Sequence, residues 1–131
     1  MIIEGGCLCG RVRYRLDEKP HHVCDCHCID CRRASGAPFV TWGIVATEKQ
    51  KVLTGEVRTV KHADRVRSFA ACCGTSLFFQ DNDSAPSIDV AIATLDDPEP
   101  HAPDRSIWVE DHISWVALDP DRKALQMNKE E

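Results

Sequence analysis

From Arg11 to Leu16 charged and apolar side chains alternate strictly, Arg11-Val12-Arg13-Tyr14-Arg15-Leu16. Neighbouring strand side chains point to opposite faces, so this period of two predicts a strand with Val12, Tyr14 and Leu16 turned inward. Pro38 to Ala46 is β-branched and aromatic and predicts a second strand, with Gly43 marking a bulge site. Val52-Leu53-Thr54 and Glu56 to Val60 flank Gly55 and read as short strands meeting at a turn. Val66 to Phe69 and Ser76 to Phe79 lie on either side of a Cys72-Cys73-Gly74 corner. Ile88 to Ala93 alternates again, and Ile113-Ser114-Trp115-Val116 reads as a last strand.

Helical signals are sparse. Cys28 to Ala34 suits a turn or two of helix, stopped by Gly36 and Pro38. Residues 121–131 have helix-forming composition but little amphipathic face, which predicts a frayed tail. The Pro-containing stretch from Asp96 to Ser106 reads as a rigid rim loop. The expectation is one all-β domain over residues 1–120, built from short strands in small, bent sheets, followed by a C-terminal tail over 121–131.

Composition narrows the picture. At 131 residues, with 43% hydrophobic and 28% charged side chains, the chain suits one soluble domain that buries a core without disulfides. A net charge of -5 argues against nucleic acid as a partner, because phosphates call for a basic face. No run approaches the roughly 18 apolar residues of a membrane span. The opening Met1-Ile2-Ile3-Glu4-Gly5-Gly6 lacks signal-peptide features, so the expected location is cytoplasmic. The unusual quantity is 8 cysteines. In a reducing compartment, metal binding or catalysis accounts for them better than disulfides do.

The cysteines fall in three places: Cys7-Leu8-Cys9-Gly10, Cys24-Asp25-Cys26-His27-Cys28-Ile29-Asp30-Cys31, and Cys72-Cys73-Gly74. Thiolates so spaced converge on a tetrahedral ion through tight turns, and Zn²⁺ suits a sulfur set. Adjacent glycines supply the positive φ that such knuckles use. How the eight divide is the functional question. An even split closes two Cys₄ sites, with Cys7, Cys9, Cys72 and Cys73 in one and Cys24, Cys26, Cys28 and Cys31 in the other. An uneven split leaves Cys26, Cys28 and Cys31 with an open coordination position, as chemistry requires. Strand parity does not choose, since Cys24, Cys26 and Cys28 share it.

Three motifs carry a resemblance. Gly5-Gly6-Cys7-x-Cys9-Gly10-x-Val12-Arg13-Tyr14 resembles the opening of the glutathione-dependent formaldehyde-activating enzyme family, which includes the centromere protein V domain. Cys26-His27-Cys28-x-x-Cys31-Arg32-Arg33-x-x-Gly36-Ala37-x-Phe39 is similar to its second motif, and Arg67-x-Phe69-x-x-x-Cys73-Gly74-Thr75-x-Leu77 to its third. The likeness runs from about residue 3 to residue 118. It implies an all-β, Mss4-like fold of small coiled sheets around zinc. It also implies two zinc ions, a structural one at Cys7, Cys9 and Cys73 and a catalytic one at Cys26, Cys28 and Cys31. Ala70 stands where the family has a further cysteine, and Cys72 is expected to take over as the missing ligand. Cys24 is an extra thiol beside the reactive group.

The chemistry so implied is that of a carbon–sulfur lyase: glutathione and formaldehyde in equilibrium with S-(hydroxymethyl)glutathione. A metal with a free position binds a substrate thiol and favours its thiolate. Arg32 and Arg33 can hold the carboxylates of a glutathione-like thiol by forked hydrogen bonds, although vicinal arginines are more often simply solvated. His27, on a strand, should face away from Cys26 and Cys28. Asp25 and Asp30 suit either a supporting role or an exposed turn, and Trp42, Trp108 and Trp115 suit the core. Two other readings stand beside the enzyme: a non-catalytic, zinc-stabilised protein-binding scaffold with both sites closed, and an iron–sulfur or disulfide redox protein.

Overall fold

The alternating segment forms β2 (Arg13–Leu16), and it pairs antiparallel with β1 (Ile3–Gly6) and β5 (Gln50–Thr54) in a three-stranded sheet. The computed structural model describes residues 2–126. A second, eight-stranded sheet is made from β3 (His21–Cys26), β4 (Val40–Ala46), β6 (Val57–His62), β7 (Arg65–Ala70), β8 (Ser76–Gln80), β9 (Ser87–Ala91), β10 (Arg105–Ile107) and β11 (Lys123–Leu125). Its order is β11-β10-β3-β4-β9-β8-β7-β6, with β10 parallel to both β3 and β11 and every other pair antiparallel. The one α-helix among the described residues, α1 (Ile29–Ser35), follows β3 directly. The all-β architecture expected from the periodicity is present, and no described helix is long and apolar enough to cross a membrane.

The two sheets pack face to face. Ile3, Val12, Tyr14 and Leu16 of the small sheet and its loops meet Val23, Val45, Phe78, Ile88 and Val90 on the inner face of the large one. Tyr14 is wholly buried; its ring meets Phe78 edge-on at 5.0 Å, and its hydroxyl lies 2.6 Å from Thr94 Oγ1. The opposite face of the large sheet carries Cys24, Cys26, Trp42, Ala91 and Ile107, which with Cys31 form a second buried cluster. Strand parity therefore sorts one sheet into a structural face and a cysteine-bearing face.

Three details depart from the periodic reading. Val52–Thr54 and Glu56–Val60 are indeed strand segments, yet β5 and β6 do not pair, because Gly55 passes the chain from one sheet to the other. Gly55 has φ 83, and a Cβ there would lie 2.7 Å from the Arg11 carbonyl oxygen. The bulge expected at Gly43 sits opposite it on β3, between His21 and Cys24, where His22 takes φ 47. Gly43 itself permits a close approach, since a Cβ would meet Ile92 at 2.7 Å.

Ile113–Val116 forms a turn closed by Val116 N–H donating to Ile113 O at 2.9 Å, and Trp115 is exposed. The β10 edge that such a strand would need is taken by β11. The helix-forming composition of residues 121–126 thus gives way to a short parallel strand, anchored where Arg122 Nη1 donates to buried Asp25 at 2.6 Å. The rest of the expected tail, residues 127–131, lies outside the described residues.

Two substitutions test the contact between the sheets. A Cβ at Gly5 would lie 2.5 Å from both the Thr94 carbonyl oxygen and the Tyr14 hydroxyl. Gly5→Ala is expected to destabilise by about 1–3 kcal/mol through overpacking. Tyr14→Phe, which loses only the hydroxyl contact, should cost about 1 kcal/mol. Urea denaturation of both variants gives the order, and a Gly5→Ala cost no larger than that of Tyr14→Phe contradicts it.

Candidate functional site

Cys7 and Cys9 lie on the turn after β1, which closes as Gly10 N–H donates to Cys7 O at 3.1 Å with Gly10 at φ 84. Cys72 and Cys73 lie on the corner between β7 and β8, where Gly74 at φ 81 donates to Ala70 O at 2.8 Å. Each turn needs a left-handed residue to reverse the chain, and glycine supplies it without strain. The turns meet so that Cys7, Cys9, Cys72 and Cys73 bring their sulfurs within 4.8 Å of one another. Cys72 Sγ lies 3.7 Å from Cys7 Sγ and 3.2 Å from Cys9 Sγ, which brings Cys72 into this sulfur group. Ala70 is fully buried in the core and is not a member of this group. The Thr75 hydroxyl bridges the two turns, accepting from Leu8 N–H at 3.0 Å and lying 3.3 Å from Cys73 Sγ.

The second group forms at the junction of β3 and α1. Cys26 ends the strand, and Cys28 caps the helix, its sulfur accepting from Cys31 N–H at 3.2 Å. Gly36, with φ 71, ends α1 by donating to Arg32 O at 2.7 Å, at the stop anticipated from the chain. The strand end and helix cap together place the sulfurs of Cys26, Cys28 and Cys31 within 4.8 Å of one another. Cys24 is not in this group, although it shares the same face of β3. It is 6% exposed among Trp42, Ala91 and Ile107, and burial pushes its thiol up to about 12. All eight cysteines are free thiols.

Proton sharing divides each group internally. Hydrogen bonds from Cys26 and then Cys28 pull Cys31 well below the usual thiol range, while Cys26 is pushed far up by the same contacts. At the surface turns, the Thr75 hydroxyl holds Cys73 down to about 5, and the contact with Cys9 pushes Cys72 up to about 12. Such clusters share few protons among many sulfurs, and a cation would displace the remainder. An all-sulfur donor set at these separations fits a soft or borderline ion such as Zn²⁺ better than a hard one. Both groups can hold a metal.

A cavity of about 500 Å³ opens over the three-cysteine group, with Trp42, Ile107, Trp108 and Phe79 as its apolar wall. Its guanidinium groups are those of Arg65 and Arg67, on alternate positions of β7. Arg67 Nη2 lies 3.9 Å from Cys31 Sγ, and its guanidinium carbon sits 4.7 Å from the centre of the Phe79 ring. Arg32 and Arg33 are on α1 and are not among the residues lining this cavity. Arg67 lies within the strand read from Val66 to Phe69, but that it faces the cysteines was not legible. Asp30 lines the cavity.

His27 and Asp25 face the other way, as parity requires. They border a separate cavity of about 460 Å³ with Phe39 and Arg122. Burial lowers the His27 pKa, and Asp25 accepts from Thr41 Oγ1 at 2.6 Å as well as from Arg122.

The family model described as glutathione-dependent formaldehyde-activating enzyme matches residues 2–111. A Halomonas elongata protein named "Putative glutathione-dependent formaldehyde-activating enzyme" is 23% identical over 129 residues, covering 91% of this chain and 82% of its own length. A Schizosaccharomyces pombe protein described as an uncharacterized lyase is 33% identical over 81 residues, covering 58% of this chain and 56% of its own length. A crystal structure of a Rhodobacter sphaeroides protein superposes with a TM-score of 0.59 at 22% identity, over 76% of this chain and 94% of that one. At that identity the superposition speaks for the fold.

Thiol alkylation of the metal-free protein reads the two environments directly. The thiolate is the nucleophile, so Cys73, held down to about 5, should keep reacting with iodoacetamide at pH 6. Cys24, buried and raised to about 12, should remain unmodified at pH 8 until the fold is denatured. Peptide mapping by mass spectrometry checks the order, and early labelling of Cys24 contradicts its burial.

Proposed function

Because the chain belongs to the glutathione-dependent formaldehyde-activating enzyme family, we propose that it is a zinc-dependent carbon–sulfur lyase acting on a thiol–aldehyde adduct. The reference reaction is formation and breakdown of S-(hydroxymethyl)glutathione from glutathione and formaldehyde. The observation that carries this reading is the inequality of the two sulfur groups: one has four members, and the other has three and a cavity above it. In this reading Cys7, Cys9, Cys72 and Cys73 hold a structural ion, and Cys26, Cys28 and Cys31 hold the reactive one.

A zinc ion at the three-cysteine group would supply positive charge that favours the ionised form of a substrate thiol. The protein supplies the rest. The junction of β3 and α1 fixes the three sulfurs on one side, so an incoming thiol approaches from the cavity. Trp42, Ile107 and Phe79 keep that approach apolar, which strengthens electrostatic contacts inside it. Arg65, farther from the sulfurs along β7, suits a carboxylate on the distal part of the thiol, a role that Arg32 and Arg33 have no cavity wall to perform. The free state of all eight cysteines supports a reducing, cytoplasmic setting.

The scaffold alternative requires Cys24 to close the second site. The position of Cys24 outside the sulfur group, packed against Trp42 and Ala91, favours the enzyme.

Two measurements test the proposal. X-ray absorption of zinc-loaded protein should show added sulfur coordination when glutathione is supplied; if neither glutathione nor smaller thiols reach the metal, the mechanism fails. Cys28→Ser separates ligation from folding, because a serine oxygen caps a helix as well as the cysteine sulfur does. It should lose one zinc per chain and slow ¹³C-formaldehyde exchange with glutathione by about 100-fold or more, with little change in the circular dichroism of the metal-free protein. Undiminished exchange by this variant counts against a reactive centre at this group.

A further inference from the structure

When a thiolate adds to an aldehyde, a C–S bond forms and the C=O π pair moves onto oxygen. Negative charge then appears two bonds from sulfur, and a donor fixed at that point lowers the barrier. The cavity side chains that carry N–H donors are Trp42, Trp108, Arg65 and Arg67, while its aspartates bring acceptors. Of the four, Arg67 carries positive charge to the sulfur group, with Nη2 3.9 Å from Cys31 Sγ.

Its position is restrained. Arg67 and Phe79 are register partners across β7 and β8, and the guanidinium lies 4.7 Å from the ring centre. Stacking on an aromatic face holds the planar group through its π surface and leaves its edge N–H groups for a ligand. Arg65, two positions earlier, also borders a neighbouring cavity of about 340 Å³, which places it at the rim rather than beside the sulfurs. Trp42 is buried at the cavity wall.

We propose that Arg67 is a catalytic residue of this site, donating hydrogen bonds to the oxygen of the thiol–aldehyde adduct. This rests on the thiol–aldehyde reading above. In the forward direction the thiol loses its proton to water, sulfur supplies the pair for the C–S bond, and oxygen receives the π pair. The proton then returns through water to that oxygen. In reverse the hydroxyl proton leaves, the oxygen pair re-forms C=O, and the C–S pair departs with sulfur. Arg67 acts through its hydrogen bonds alone. It steadies the oxyanion and transfers nothing.

The test uses Arg67→Met and Arg67→Lys in the full chain loaded with Co²⁺, whose absorption reports a thiol joining the metal. Glutathione titration gives affinity, and ¹³C-formaldehyde exchange by NMR gives turnover at saturating thiol. For Arg67→Met, glutathione affinity should stay within about threefold of the unsubstituted protein while exchange falls by about 100-fold or more. Arg67→Lys, with charge but no fork, should recover part of that loss and guards against misfolding of the methionine variant. Unchanged exchange overturns the assignment, and so does a loss of glutathione affinity that accounts for the whole rate loss, since that marks a residue holding the thiol's tail. If the unsubstituted protein binds glutathione at the metal and accelerates exchange, the thiol–aldehyde reading stands whichever way Arg67 falls. If it does neither, both fail.

Discussion

The apolar contact between the three-stranded sheet and the inner face of the larger one is the constraint on which the rest of the structure depends. Tyr14 is completely buried within it, and Gly5 is bare of a side chain so that the Tyr14 hydroxyl and the Thr94 carbonyl can sit where they do. Burial of this kind removes apolar surface from water without directional demands, and alternation along each strand then decides which residues are left for the outer face. Val23, Val45 and Val90 go inward; Cys24, Cys26, Trp42 and Ala91 go outward. The cysteine cavity is thus a consequence of where the small sheet sits.

The two sulfur groups stand in different relations to that contact. The four-cysteine group joins the turn after β1, in the small sheet, to the corner after β7, in the large one. It spans the seam between layers, where an ion would act as a cross-link. The three-cysteine group draws on one continuous stretch, from the end of β3 into the first turn of α1. It holds no layers together, so its geometry is free to serve a ligand, and the cavity above it faces residues from distant β7 and β8.

Much of this was legible along the chain. Period-two alternation found β2 and β9, β-branched and aromatic composition found β4, the Cys72-Cys73-Gly74 corner bracketed β7 and β8, and the Gly36 stop of α1 was visible because a left-handed cap favours glycine. The lost elements have physical reasons. The three-residue strands β10 and β11 are too short for a period to register, and they exist because β3 offers an edge. Residues 121–126 favour helix by composition, but pairing with β10 and the buried contact between Arg122 and Asp25 outweigh that preference.

The candidate cysteines were a property of the sequence itself: within each short run, cysteines a few positions apart are brought near one another by the local turn or helix cap. His27 pointing away from the sulfurs followed from strand parity. What only the tertiary structure decided was how the sulfurs divide and what faces them. Cys24 and Cys26 share a strand face, and parity treats them alike; Cys24 is set apart because α1 folds back over the end of β3 and brings Cys28 and Cys31 to Cys26, while Trp42 and Ala91 enclose Cys24. Arg67 was a charged position on an ordinary strand until β7, β8 and β9 carried it across the sheet to Cys31. Local spacing fixes turns and caps, but a contact between residues 36 positions apart depends on strand order, which no short window of sequence contains.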